Sequence, residues 1–127
     1  VDNFVDNLVK DGKSHMARVA KAGEREAKRA ELSYCVLAET EREGRPVGLA
    51  EVELKTGRYH QIRAQFAAHG LPLYGDGKYG GWGQPLALFA YRLSLVHPKS
   101  GQPLHFLELP KSEAFAGFEE VLERLTL

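Results

Sequence analysis

The sequence predicts an α+β domain built on a mainly antiparallel sheet with flanking helices. Two alternating apolar runs, Ala30 to Glu39 and Val47 to Lys55, are joined by a short segment holding Gly44 and Pro46, the pattern of a paired hairpin. Helical spacing follows, once after Thr56-Gly57 and again after Ser112. A hydrophobic content of 43% in 127 residues supplies a core for one domain, with no separate second domain over 1–127.

In order along the chain, Phe4, Val5 and Leu8 predict a short edge element. Lys10 to Arg29 is polar and basic and reads as a strand or loop connection with little core of its own, solvated rather than an RNA-binding arm. In the first strand Leu32, Tyr34, Val36 and Ala38 share a face, with Cys35 and Leu37 on the other. Cys35 rules out an internal disulfide and is expected to be a buried, inert thiol. In the second strand Ala50, Val52 and Leu54 alternate with Leu49, Glu51 and Glu53. Thr56 is the expected N-cap of a helix from about Arg58 to Ala68, closed by His69-Gly70. A rotation of about 100° per residue puts Tyr59, Ile62, Phe66 and Ala67 on its core stripe and Arg63 beside that stripe.

Five glycines between Gly70 and Gly81 mark a tight loop in which Asp76 is expected to hold the turn through loop amides. No Ser or Thr follows Lys78 at the spacing of a triphosphate-binding loop, which excludes that class. Trp82, flanked by glycine, reads equally as a base-stacking platform or a surface plug. Leu86 to Val96 predicts a strand, His97 to Gly101 a turn, and Leu104 to Leu109 another strand. Ser112 is the expected cap of a last helix whose face is Phe115, Phe118, Val121, Leu122 and Leu125.

Seventeen basic and seventeen acidic residues cancel, a balance that argues mildly against a nucleic-acid binder. The distribution is uneven, however, and a neutral total can carry a positive face. The histidines lack metal-ligand spacing, so no metal is expected. No apolar run approaches the roughly eighteen residues of a membrane span, and the expectation is a cytoplasmic protein without membrane contact. The sequence sets no oligomeric state. A chain opening on Val1 rather than Met is expected of a fragment, a processed product or a trimmed chain.

The densest chemistry lies in Lys55-Thr56-Gly57-Arg58-Tyr59-His60-Gln61-Ile62-Arg63, where cations and hydrogen-bonding side chains gather at a helix entry. This run resembles the T-G-R-x-H-Q-I-R signature of the RluA-type RNA pseudouridine synthases. Gly70 to Asp76 with Lys78-Tyr79-Gly80 resembles that family's G-x-P-I-x-G-D-x-x-Y-G segment. Leu86 to Leu93 and Val96-His97-Pro98 resemble its L-x-L-H-A-x-x-L and H-P elements, with Phe89 standing where the family usually has His. The resemblance runs from about Ala30 to Pro110. It implies the C-terminal portion of a pseudouridine synthase catalytic domain, isomerising uridine in ribosomal or transfer RNA without cofactor or metal.

The resemblance further implies a catalytic aspartate in an H-R-L-D-x-x-T-S-G segment, paired with an arginine. The aspartates here are Asp2, Asp6, Asp11 and Asp76, and none stands in that context. Arg63 is the arginine carried over, expected to steady an aspartate outside the chain by a charge-assisted pair. Lys55, Arg58, His60 and Gln61 are the expected RNA-binding residues, with Arg58 directed at backbone carbonyls or phosphate, and with His60 and Gln61 expected to fix the helix entry rather more than to touch RNA. The alternative expectation is a non-catalytic RNA-binding module, or a remnant of such a domain.

Overall fold

The computed structural model describes residues 1–90 and 115–125, together with the backbone of 92–96 and 103–107. Strands β1 (Asp2–Asp11), β2 (Met16–Val19), β3 (Lys28–Arg42) and β4 (Arg45–Leu54) form one antiparallel sheet in the order β2-β1-β3-β4. Helix α1 spans Gln61–Ala68 and a 3-10 turn spans Gly77–Tyr79. Strands β5 (Arg92–Val96) and β6 (Pro103–Leu107) pair antiparallel, and helix α2 spans Glu119–Arg124. The expected turn at His97 to Gly101 and the expected cap Ser112 lie outside the described residues.

Register follows the alternation of the sequence. Phe4 faces Leu32, and Leu32 faces Leu54, across β1, β3 and β4. That face carries α1: Phe4, Leu32 and Phe66 are buried together, with Tyr34, Val52, Ile62 and Leu73 packed around them. Phe4, Tyr34 and Phe66 meet pairwise with ring centroids 4.9–5.1 Å apart in tilted or edge arrangements. Such pairs add to burial worth roughly 1.5–3 kcal/mol per side chain. A second buried group joins Leu8, Ala17, Ala30 and Ala64, capped by Tyr79.

β1 is therefore an interior strand rather than the short edge element its composition suggested, and the edge is taken by β2, drawn from the basic segment. Ala17 of β2 is buried, so that segment does contribute to the core. A bulge between Val36 and Ala38 changes the register of β3 against β4. Beyond it Leu37, Ala38 and Leu49 pack with Phe115, Phe118, Val121, Leu122 and Leu125, the apolar face expected of the last helix. Cys35 precedes the bulge opposite Glu51, and its thiol is exposed rather than buried. Its neighbours Leu32 and Tyr34 face the core, so strand alternation turns residue 35 away. The β3–β4 hairpin turns through Glu43 and Gly44, with φ of 52° and 76°, the left-handed pair that a two-residue turn of matching twist requires.

Candidate active site

Helix α1 begins three residues later than the spacing predicted. Thr56 is not its cap: the Thr56 Oγ1 accepts from the Glu31 N–H at 2.9 Å and donates to Gln61 Oε1 at 2.8 Å. The N-cap is His60, whose backbone is left-handed at φ 51°. The other end is as expected. Leu71 N–H donates to Phe66 O at 2.8 Å, and Gly70 N–H, on a residue with φ 79°, donates to Ala67 O at 3.1 Å, closing the last turn in a Schellman arrangement.

The displaced start sets the roles of Gln61 and Tyr59. Gln61 is only 3% exposed. Its amide accepts from Arg58 N–H at 2.8 Å and donates to Glu31 O at 3.1 Å, binding the helix entry to β3. A side chain so enclosed serves the helix entry, the structural role expected of it. Tyr59 lies before the helix and is 42% exposed, so it is not core. Instead its ring stacks on His60 with centroids 4.0 Å apart, and Lys10 Nζ sits 4.2 Å from its centroid on β1.

Arg63 projects from α1 onto the glycine-rich loop. Its Nε donates to Asp76 Oδ2 at 3.0 Å and its Nη2 to Asp76 Oδ1 at 2.8 Å, a bidentate pair. The Arg63 side chain is 19% exposed and that of Asp76 is fully buried. This corrects the assignment of Asp76 to loop amides: the turn is held by its main chain, with Tyr79 N–H and Gly81 N–H donating to Asp76 O at 3.1 and 2.8 Å. It also gives Arg63 a carboxylate partner inside the chain. The guanidinium lies 5.0 Å from the Tyr79 ring centroid and turns Nη1 toward His60 Nε2, 3.4 Å away.

Because a guanidinium only donates, that contact makes His60 Nε2 the acceptor and puts the ring proton on Nδ1. Nδ1 then donates to Tyr79 Oη at 2.8 Å, which also accepts from the Ala17 N–H at 2.9 Å. Burial, followed by the charges of Arg63 and Lys78, lowers the proton affinity of His60 below its ordinary value of 6.5. Between that lowered value and 6.5 the folded chain holds fewer protons than the unfolded one, so His60 makes stability rise with pH across the window and fall on acidification. His60→Asn, a residue that also tolerates the left-handed backbone, is expected to flatten this slope in urea unfolding compared between about pH 5 and pH 7.5. An unchanged slope would place the titration elsewhere.

The remaining expected residues do not converge here. Lys55 pairs with Glu53 at 2.8 Å, a largely exposed contact that offsets its charge. Arg58 Nε donates to Arg29 O at 2.8 Å, the carbonyl option foreseen for it. Trp82 packs edge-on to Tyr74 at 5.2 Å under the Arg45 guanidinium at 4.7 Å. Phe89 lines a small apolar hollow with Leu37, Leu49 and Phe115. Among the described residues no acidic, histidine or cysteine group is arranged to hold a metal, and no helix is long and apolar enough to cross a membrane. Sequence reasoning missed Lys10, Lys78 and Tyr79. The available signal was the hairpin alternation that places Lys10 opposite Ala17, and the G-D-G-K-Y-G run itself.

No family model matches the chain. An RNA pseudouridine synthase of Aquifex aeolicus, itself uncharacterized, is 34% identical over 111 residues, covering 78% of this chain and 34% of that protein. The dual-specificity RNA pseudouridine synthase RluA of Yersinia pestis is 34% identical over 84 residues, 62% of this chain and 39% of that protein. The chain thus spans well under half the length of these relatives. A solved structure of human RNA pseudouridylate synthase domain containing 1 superposes with a TM-score of 0.71 at 18% identity, covering 98% of this chain and 59% of that one, which shows the shared fold. The ordered sequence motifs, these relatives and the shared sheet lead to one assignment: the chain belongs to the RluA-type RNA pseudouridine synthase family.

Proposed function

We propose that the protein containing this chain isomerises uridine to pseudouridine in ribosomal or transfer RNA in the cytoplasm, and that the chain is the C-terminal portion of its catalytic domain. The reaction breaks the bond from C1′ to N1, turns the base, joins C1′ to C5 and releases the C5 hydrogen as a proton. It needs no cofactor. The observation that carries this reading is the buried, bidentate Arg63–Asp76 pair. Two N–H groups of Arg63 are fixed by Asp76, which locks the guanidinium plane and leaves the Nη1 hydrogen not turned to His60 to meet a second carboxylate. That carboxylate is the aspartate of an H-R-L-D-like segment, which on this reading precedes Val1 in the whole protein. An arginine at that distance keeps the aspartate ionised and aimed at the sugar or base. The target nucleotide must leave its stack to reach it.

The test is release of tritium from RNA labelled at uridine C5 by the whole protein. Release to water, lost in Arg63→Lys because an ammonium cannot reproduce the planar fork, is the expected result. Retention of tritium in every ribosomal and transfer RNA offered would leave only the non-catalytic binding module.

A further inference from the structure

We propose that Lys10 and Lys78 form a phosphate-binding ledge beside Arg63, built by the β1–β2 hairpin and shaped for the RNA backbone next to the target uridine. The ledge rests on the reading that RNA is the substrate. Three ties hold the hairpin against the site. Tyr59 Oη donates to His15 O at 3.1 Å, Lys78 Nζ donates to the same carbonyl at 3.4 Å, and the Ala17 N–H reaches Tyr79 Oη. The hairpin is therefore part of the site and not a solvated connection.

Charge is concentrated there. Arg63, Lys78 and Lys10 all act on His60 to disfavour its protonation, and Asp76 is the carboxylate that opposes them. Asp76 is already committed to Arg63 on two bonds. Lys10 rests on the Tyr59 ring and Lys78 on a carbonyl, so among the described residues neither ammonium meets a carboxylate. Of the acids of β1, Asp6 is taken by Gln65 and His69, and Asp11 follows Lys10 and pairs with Met16, while Lys10 pairs with Ala17 on the α1 side. Strand alternation thus turns Asp11 to the other face, where it accepts from Lys13 N–H at 2.9 Å and feels Arg18.

Two exposed ammonium groups that meet no carboxylate among the described residues, flanking a guanidinium, suit successive phosphates, which lysine meets as a point charge. The neutral composition of the chain conceals this because described carboxylates pair elsewhere, among them Glu24 with Arg18, Glu53 with Lys55 and Glu120 with Arg124.

The experiment uses the whole protein and a fluorescein-labelled stem–loop RNA with uridines in the loop, titrated over a range of salt. Lys10→Gln and Lys78→Gln are each expected to weaken binding about fivefold near 0.15 M salt and to reduce the slope of log K against log salt by about 1. The double variant should lose about twice that slope, and Lys10→Arg with Lys78→Arg should restore it. Arg124→Gln, on α2 and already paired with Glu120, should leave the slope unchanged. A double glutamine variant that melts like wild type and keeps its full slope would overturn the ledge. Tritium release separates the two ideas. A protein whose RNA binding depends on these lysines but which releases no tritium retains the ledge and loses the isomerase reading, while release with an unaltered slope does the reverse.

Discussion

Replacing Arg63 by methionine is expected to lower folding stability by about 3–5 kcal/mol and to abolish tritium release. The stability loss comes from what is left behind. The Asp76 side chain is fully buried, and its two oxygens accept from Arg63 Nη2 and Nε. Without the guanidinium that carboxylate is an uncompensated charge in a dry site, which costs more than the pair ever contributed. The catalytic loss has a different origin, because methionine offers no N–H to a second carboxylate. A paired substitution divides the two effects. Adding Asp76→Val to Arg63→Met removes the orphan charge and should recover most of the stability in urea unfolding, with coupling visible in the double-mutant cycle. Activity should stay absent. If the double variant regained activity with its stability, Arg63 would be a strut and nothing more. If Arg63→Met alone unfolded like wild type, the buried pair would not exist in solution.

The fold was largely legible because its signals are local. Alternation in Ala30 to Glu39 and Val47 to Lys55, with turn residues between, leaves one way to bury both strands, and β3 and β4 pair that way. What alternation cannot convey is which strand sits inside. Phe4 and Leu8 look too sparse for an interior strand, yet β1 lies between β2 and β3 because α1 covers it from one side. Cys35 was misplaced for a related reason: a run apolar on both faces hides the exposed position, and the bulge after Val36 is not written in residue type.

The site was legible in part. Arg63 was picked out by its place in a motif, but its counter-ion lies thirteen positions on in a loop whose glycines suggested only turns. Asp76 is brought to Arg63 by the closure of α1 at Gly70, which the sequence does announce, and by the fold-back that joins Asp76 N–H to Leu73 O, which residue type does not specify. Gln61 shows the opposite case. A polar side chain in a cationic run looks like a ligand contact, whereas the Arg58 N–H ahead of the late helix start, the Thr56 hydroxyl and the Glu31 carbonyl of β3 consume its amide. Lys10 stayed hidden because it lies far from the motif along the chain, and only the sheet brings it onto the Tyr59 ring.

Alanine at Gly75 or Gly81 is expected to cost about 3 kcal/mol and, by moving Asp76 by about 1 Å, to slow isomerisation on the order of 100-fold. At Gly75 the backbone has φ 80°, and an added Cβ would overlap the Pro85 carbonyl. At Gly81 it would overlap Leu73 O and press on Asp76 O and N at 3.0 and 3.1 Å. The second case bears directly on function. Gly81 N–H and Asp76 O are joined at 2.8 Å, and Asp76 N–H is joined to Leu73 O at 3.1 Å. A methyl group at Gly81 therefore pushes apart the two carbonyls that set the direction of the Asp76 side chain, and the bidentate geometry with Arg63 opens. Gly77→Ala supplies the contrast, since its Cβ would meet nothing within 4 Å, and its stability should stay within about 0.5 kcal/mol of wild type. Urea unfolding and tritium release on the three variants give the result. Equal tolerance at Gly77 and Gly81 would mean that the loop has slack, and that Asp76 reaches Arg63 without the close backbone approach described above.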